Sequence, residues 1–361
     1  MQFDEKQFDK RFLQLAINQN LAEYIRAAHG GAGLAHITKG RFEASELPVP
    51  PLPEQRRIVA EIEKQFTRLD AGVAALRRVQ AHLKRYRAAV LKAACEGKLV
   101  PTEAELARTE DRSYETGAQL LGRILKERRK QWKGRGKYKE PVIPGTADLS
   151  PLPEGWTWAT VEQLTALVQY GTSAKTSEDD SGIPVLRMGN IEDGKLVFDK
   201  LKYLPKSHDE FPELFLQEGD LLFNRTNSAE LVGKTAVFRG SPTPCSYASY
   251  LIRVRLCHCC LPDFVAYYIN SVFGRAWIAS CVSQQVGQAN VNGTKLQALA
   301  IPLPPLAEQT RILAEVERRL SVLEELETMV AANRHRSERL RQSILQRTFS
   351  ETHKTHQMRY A

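Results

Sequence analysis

The phrase PPLPEQRRIVAEIEK, which begins at Pro50, returns as PPLAEQTRILAEVER at Pro304, 254 positions later. Self-similarity at a fixed period constrains architecture before any local reading does, and this repeat runs beyond the phrase. GLAHITKGRFEASELPVPPLPEQ from Gly33 aligns with GQANVNGTKLQALAIPLPPLAEQ from Gly287, FLQLAIN from Phe12 echoes FVAYYIN from Phe264, and RYRAAVLK from Arg85 answers RLRQSILQ from Arg339. Each copy therefore holds the tail of one domain, a Pro-rich bend and a long charged segment. A chain of 361 residues cannot contain two 254-residue units. The reading is one complete unit preceded by the tail of another.

Pro53 marks a helix start, and the pattern predicts a helix from Glu54 to about Cys95. Ile62, Leu69, Leu76, Leu83 and Val90 recur every seven residues, with Phe66, Val73, Val79 and Tyr86 as a companion seam, which is a coiled-coil pattern. The second copy carries Val316, Leu323, Val330 and Ile344 in the same register, broken by Ser337 and flanked by Leu320 and Leu340. An apolar seam four heptads long has to be buried, and two matching seams in one chain pack most simply on each other. At the rise of an α-helix each would be about 60 Å long, a spacer rather than a compact core.

Between the helices the chain changes character twice. Residues 101–151 contain LKERRKQWKGRGKYKEP, which reads as a basic linker that either faces a polyanion or is simply solvated. From LPEGWTWATVEQL at Leu152 the periodicity shortens and turn signals multiply. IPVLRMGNIEDGKLVFDKLKYL predicts strands joined by an Asp193-Gly194 hairpin turn, GDLLFNRTNSAELVGKTAVFRG predicts another strand pair, and a helix follows from Phe264 to about Ala279. The fold class expected is α/β (α+β): a domain of mixed strands and helices plus two long helices forming a coiled-coil spacer.

Bulk properties exclude little. A net charge of +9 from 51 basic and 42 acidic residues hints at a polyanionic partner without naming one. No run of 18 apolar residues is present and MQFDEKQFDK is unlike a signal peptide, so a cytoplasmic chain with no membrane partner is expected. Six cysteines without framework spacing fit a reducing compartment. In LCHCC, strand alternation would separate Cys257 and Cys259 from His258, and no second ligand pair follows, so buried or half-buried thiols are the better reading than a metal site.

Taken together, PPLAEQTRILAEVE, GDLLFNRTNSAELVGKTAVF, GQANVNGTKLQALAIPLPPLAEQ and LPEGWTWATVEQL resemble the specificity subunit of type I restriction-modification enzymes over nearly the whole chain. The resemblance implies target-recognition domains alternating with two helices that pair antiparallel and hold the domains apart on a bipartite DNA site. The expected division is 1–47 as the remnant of a first recognition domain, 48–100 as the first spacer helix, 101–151 as the linker, 152–303 as a complete recognition domain and 304–352 as the second spacer helix. On this reading the first recognition domain lacks about its first hundred residues. The implied partners are double-stranded DNA, a modification subunit that methylates adenine with S-adenosylmethionine, and a restriction subunit driven by ATP and Mg. The chain itself would bind no cofactor. Two geometries compete, a homodimer and a single chain; the dimer is favoured slightly because Phe12, Leu15, Ile17 and Leu21 recur at helix-like spacing without the rest of their domain to cover them.

A DNA reader needs base-edge donors and acceptors in loops and cations for phosphates. The candidates are Lys175, Arg187, Asn190, Asn224, Arg225, Thr226, Asn227, Lys234, Gln284, Gln285, Gln288, Asn290, Asn292 and Lys295. Arg can fork onto guanine, and Asn or Gln onto adenine. For the Asn and Thr positions, capping of turns by the side chain is an equal alternative.

Two enzyme readings and a scaffold complete the alternatives. SAELVGKT ends in Gly233, Lys234 and Thr235 but has Ser228 where a P-loop needs its first glycine, and its flanks suggest strands where a P-loop opens a helix. Asp179 or Asp180 with Asp193 and Lys195 imitates nuclease spacing, although Asp193-Gly194 is explained by the hairpin. No methyltransferase glycine loop or Asn-Pro-Pro-aromatic tetrapeptide is present. The chain is read as non-catalytic; the alternatives are a coiled-coil scaffold with a β-rich module and a stand-alone nuclease.

Overall fold

The computed structural model describes residues 4–19, 49–132, 136–145, 149–285 and 288–357, with 283–285, 288 and 350–357 described by backbone alone. In chain order the helices are α1 (Lys10–Gln19), α2 (Leu52–Cys95), α3 (Glu103–Thr109), α4 (Gly117–Lys130), α5 (Val161–Leu164), α6 (Pro262–Asn270), α7 (Val272–Cys281), α8 (Gly293–Ala298) and α9 (Leu306–Gln357). The strands are β1 (Thr157–Thr160), β2 (Thr165–Tyr170), β3 (Ile183–Leu186), β4 (Ile191–Glu192), β5 (Lys195–Leu196), β6 (Lys202–Leu204) and β7 (Leu221–Asn224). They continue as β8 (Thr226–Asn227), β9 (Thr235–Val237), β10 (Ser246–Tyr247), β11 (Leu251–Leu256), β12 (Ser283–Gln285), β13 (Gln288–Asn290) and β14 (Ala300–Leu303). The chain divides into two compact units, Met1–Lys84 with Val322–Ala361, and Arg85–Ser321.

The repeated phrase does the same physical job in both places. Proline brings no N–H, so the Pro-Pro bend leaves a carbonyl that the backbone ahead of the helix does not satisfy. Gln55 Nε2 donates to the Pro50 carbonyl at 2.8 Å, and Gln309 Nε2 donates to the Pro304 carbonyl at 2.9 Å. Both glutamines are buried. The sequence PPLxEQ is thus a bend, a helix start and the side chain that braces them.

In the first unit Gln55 has two further bonds, accepting from Asp9 N at 2.8 Å and donating to the Gln7 carbonyl at 2.9 Å. Asp9 then starts α1, its carboxylate accepting from the Arg11 and Phe12 amides. Phe12, Leu15 and Ala16 of α1 are buried against Ile58, Val59 and Ile62 of α2 and Phe349 of α9. This weakens the argument for a homodimer from an uncovered remnant, since Phe12 and Leu15 are covered by the chain's own helices. Ile17 is half-buried and Leu21 lies outside the described residues.

Within the same unit the order of contacts sets the direction of the pair. Phe12 and Ile62 meet Phe349, the Arg341 guanidinium lies 4.5 Å over the Phe66 ring and pairs with Asp70, and Arg334 donates to Gln80 at 3.2 Å. Ascending α2 meets descending α9, so the helices are antiparallel. Of the predicted heptad positions along both helices, Ile62, Leu83, Val90, Val316, Leu323 and Val330 are buried and Leu69, Leu76 and Ile344 are half-buried. The companion positions divide: Leu320 is buried and Phe66 and Val73 half-buried, while Val79, Tyr86 and Leu340 remain more than 40% exposed. One partner helix covers one narrow stripe, and companion positions farther round the cylinder stay in water.

The second unit holds the mixed domain. Residues expected to form a linker are instead α3 and α4, each opened by a capping box, Thr102 with Glu105 and Thr116 with Gln119. TEAE and TGAQ carried that signature in the sequence, and the basic composition obscured it. β1 and β14 pair antiparallel, Thr157 opposite Leu303, so the two ends of the 152–303 domain close on each other. Between them lie a four-stranded sheet ordered β2-β11-β7-β9, a three-stranded sheet β10-β3-β6, a three-stranded sheet β12-β13-β8 and the β4-β5 hairpin. Asp193 and Gly194 have φ of 46° and 82°, the left-handed pair a tight hairpin turn requires. The expected helix from Phe264 is two, because Ser271 ends α6 and its hydroxyl caps Phe273 N to start α7.

Candidate nucleic-acid interface

The core beneath the candidate surface is Leu186, Ile191, Leu214, Leu216, Leu222, Ala236, Phe238, Cys245, Tyr247 and Leu251. Through it runs one buried charge system. Arg253, 2% exposed in β11, donates to the Phe215 carbonyl at 2.7 Å and the Glu213 carbonyl at 3.0 Å and lies 5.4 Å from the Tyr247 ring. Burial lowers its pKa from the ordinary arginine value, although the charge is retained at any physiological pH. Asp220 takes the neighbouring Arg255 in a two-bond fork of 2.7 Å each. These bonds pin the loop between β6 and β7 to the sheet and give the outer face a fixed base.

On that face an open groove of about 750 Å³ is bordered by the Met188–Asn190 turn, Lys200, Asn227, Leu231, Lys234 and Tyr250. Arg187, Asn190, Asn227 and Lys234 of the expected readers meet here. Asn190, however, is buried and spent inside the turn: its oxygen accepts from Arg187 N at 2.9 Å, and its amide donates to the Val197 and Asp199 carbonyls at 2.9 and 3.1 Å. Arg187 donates from Nη2 to the Lys200 carbonyl at 2.9 Å. Asn227 holds Ser228 N and donates to Met188 Sδ at 3.4 Å.

The remaining candidates separate in the same way. Asn224 is fully buried in β7 and bonds the Leu231 carbonyl; Thr226 is buried and accepts from Asn290 Nδ2 at 3.1 Å. Asn292 is the cap of α8, accepting from Lys295 N at 2.8 Å, and the Lys295 ammonium donates to the Cys281 carbonyl at 2.7 Å. Asn190, Asn224, Asn292 and Lys295 thus bond backbone groups, the capping or bracing use, while Thr226 and Asn290 bond each other. Arg225 is half-buried, its guanidinium 4.9 Å over the Tyr170 ring and bonded to the Ser249 carbonyl. Lys175 is exposed in the loop after β2. Gln284, Gln285 and Gln288 fall in the β12-β13 hairpin, which pairs with β8, and their side chains lie outside the described residues.

Three residues absent from the sequence reading stand on this surface: Met188, Tyr250 and Tyr170 are 37%, 48% and 42% exposed. Tyr170 ends β2, Tyr250 precedes β11 and Met188 follows Arg187, and all three fall outside the charged and amide readers expected from the sequence.

Elsewhere, Lys234 precedes strand β9 and no helix opens there, so the P-loop geometry is absent. Asp179 accepts from Ser181 N in its own turn. Among the described residues no three His, Cys, Asp or Glu side chains gather as a metal site. Cys257 and Cys260 are buried, and burial pushes both thiols up.

A protein-family model described as the type I restriction modification DNA specificity domain matches residues 2–74 and 153–328. The chain belongs to this family. It is 26% identical over 327 residues to the type I restriction enzyme EcoKI specificity subunit of Escherichia coli K12, and 24% identical over 327 residues to the StySPI specificity subunit of Salmonella potsdam. In each case the match covers 90% of this chain and 61% of the relative. A solved structure concerned with complex assembly and conformational transition of the type I R-M system shares the fold, with TM-score 0.60, 20% identity, and coverage of 97% of this chain and 73% of that one.

Proposed function

We propose that residues 152–303 read one block of base pairs in double-stranded DNA, and that the chain directs a methyltransferase subunit and an ATP-dependent restriction subunit to that site. The observation that carries the reading is the family match, which spans both copies of the repeated phrase and the domain between them. The groove bordered by Arg187, Lys200, Asn227 and Lys234 supports it, since cations for phosphates and polar groups for base edges adjoin there.

In this reading the chain is non-catalytic. S-adenosylmethionine, ATP and Mg belong to the partner subunits, and the complex works in the cytoplasm; no helix among the described residues is long and apolar enough to cross a membrane. Phe12, Leu15 and Ala16 of α1 are covered by α2 and α9, which favours one chain per recognised block. The test is selection of random duplexes by the chain purified with its modification subunit. A single enriched motif supports the proposal. Uniform, salt-sensitive binding points to a scaffold, and Mg-dependent cleavage by the chain alone points to a nuclease.

A further inference from the structure

Asn190, Asn224 and Thr226, expected to read base edges, are buried inside the domain, so the groove presents other side chains beside Arg187, Asn227 and Lys234. Asn190 is held in its own turn, and Thr226 accepts from Asn290. What the groove exposes instead is a thioether and a phenol ring. Met188 and Tyr250 both line it, at 37% and 48% exposure.

Both are tied to one short segment. Asn227 Nδ2 donates to Met188 Sδ at 3.4 Å, and the Tyr250 carbonyl accepts from Arg225 N at 3.0 Å. The segment Arg225–Asn227 therefore holds the Met188 thioether on one side and the backbone of Tyr250, whose ring lines the groove, on the other. Arg187, Lys200 and Lys234 border the same groove and outnumber Glu192 and Asp199, which suits a polyanion better than an acidic or neutral partner. In the DNA major groove, base edges present one apolar group, the thymine C5-methyl.

We propose that Met188 and Tyr250 form an apolar contact for a thymine C5-methyl group and are specificity-determining residues of this domain. The proposal rests on reading residues 152–303 as the DNA-reading domain. The thioether is polarisable and its unbranched stem adapts to the methyl surface, while the ring supplies a flat wall at small entropic cost.

The experiment uses the full chain with its modification subunit. Its target is obtained from mapped methylated adenines, and duplexes are then made in which each thymine in turn is replaced by deoxyuridine, which lacks only the methyl. Binding should weaken about fourfold at one or more thymines outside the methylated base pair, the value of one buried methyl group. Met188→Ala or Tyr250→Ser should bind thymine and deoxyuridine equally at that position, and Met188→Leu should keep the distinction. Undiminished binding of every deoxyuridine duplex by the native chain overturns the proposal. So does a target with no thymine outside the methylated pair, or retained discrimination in both truncating variants. Failure of the underlying DNA-reading proposal looks different, because then no methylated motif depends on the chain at all.

Discussion

Glu103 shows how a single side chain serves the second unit. Its buried carboxylate pairs with Arg112 at 2.7 Å and Arg311 at 2.6 Å, while Glu308 accepts the Glu103 amide at 2.8 Å and Trp156 Nε1 at 2.9 Å. Burial by itself would raise the Glu103 pKa, but the bonds and charges of the two arginines outweigh it and hold the carboxyl below the ordinary 4.5. A depressed folded value stabilises the fold above the unfolded pKa, and that contribution is lost as pH falls through the folded one. Thermal unfolding from pH 6 to pH 3 should therefore show a steeper loss in the native chain than in Glu103→Gln, and parallel curves would contradict the assignment. Glu308 has the opposite sign, raised by burial, and is common to both proteins. The two glutamines give a second test. Gln309→Ala orphans one carbonyl and should cost about 1–2 kcal/mol, whereas Gln55→Ala also releases the Asp9 amide and Gln7 carbonyl and should cost about 2–3 kcal/mol by denaturant unfolding. Equal costs would mean that the brace to α1 contributes nothing.

At the scale of elements, periodicity made α2, α9 and the Asp193-Gly194 hairpin legible, because each is set by local chemistry that repeats or turns. α3 and α4 were hidden by composition. In LKERRKQWKGRGKYKEP the cations read as a linker either facing a polyanion or solvated, yet Arg128 donates to the Thr165 carbonyl at 3.0 Å and to Tyr138 Oη at 2.6 Å, and Arg129 pairs with Glu140. Lys126 and Lys130 are exposed. Replacing those two lysines with alanine should flatten the dependence of log Kd on log salt by about 1.8 if both meet phosphates, with stability unchanged. Arg128→Ala should instead cost about 1–2 kcal/mol of stability. An unchanged salt slope assigns the lysines to solvent. The candidate site was the least legible part, since sequence names the residue type but not its partner: Asn190 and Asn292 look alike in the chain until the turn and the helix start they cap are seen.

At the scale of the whole molecule, the proposed function assigns recognition to this chain and chemistry to partner subunits. The chain purified alone should neither cleave nor methylate DNA with Mg, ATP and S-adenosylmethionine supplied. The most direct measurement is a genome-wide map of methylated adenines in cells expressing the modification subunit with and without this chain. One new motif should appear only with the chain, and Arg225→Ala, which removes the guanidinium stacked on Tyr170, should relax or change it at particular positions. An identical methylation map with and without the chain would contradict the account.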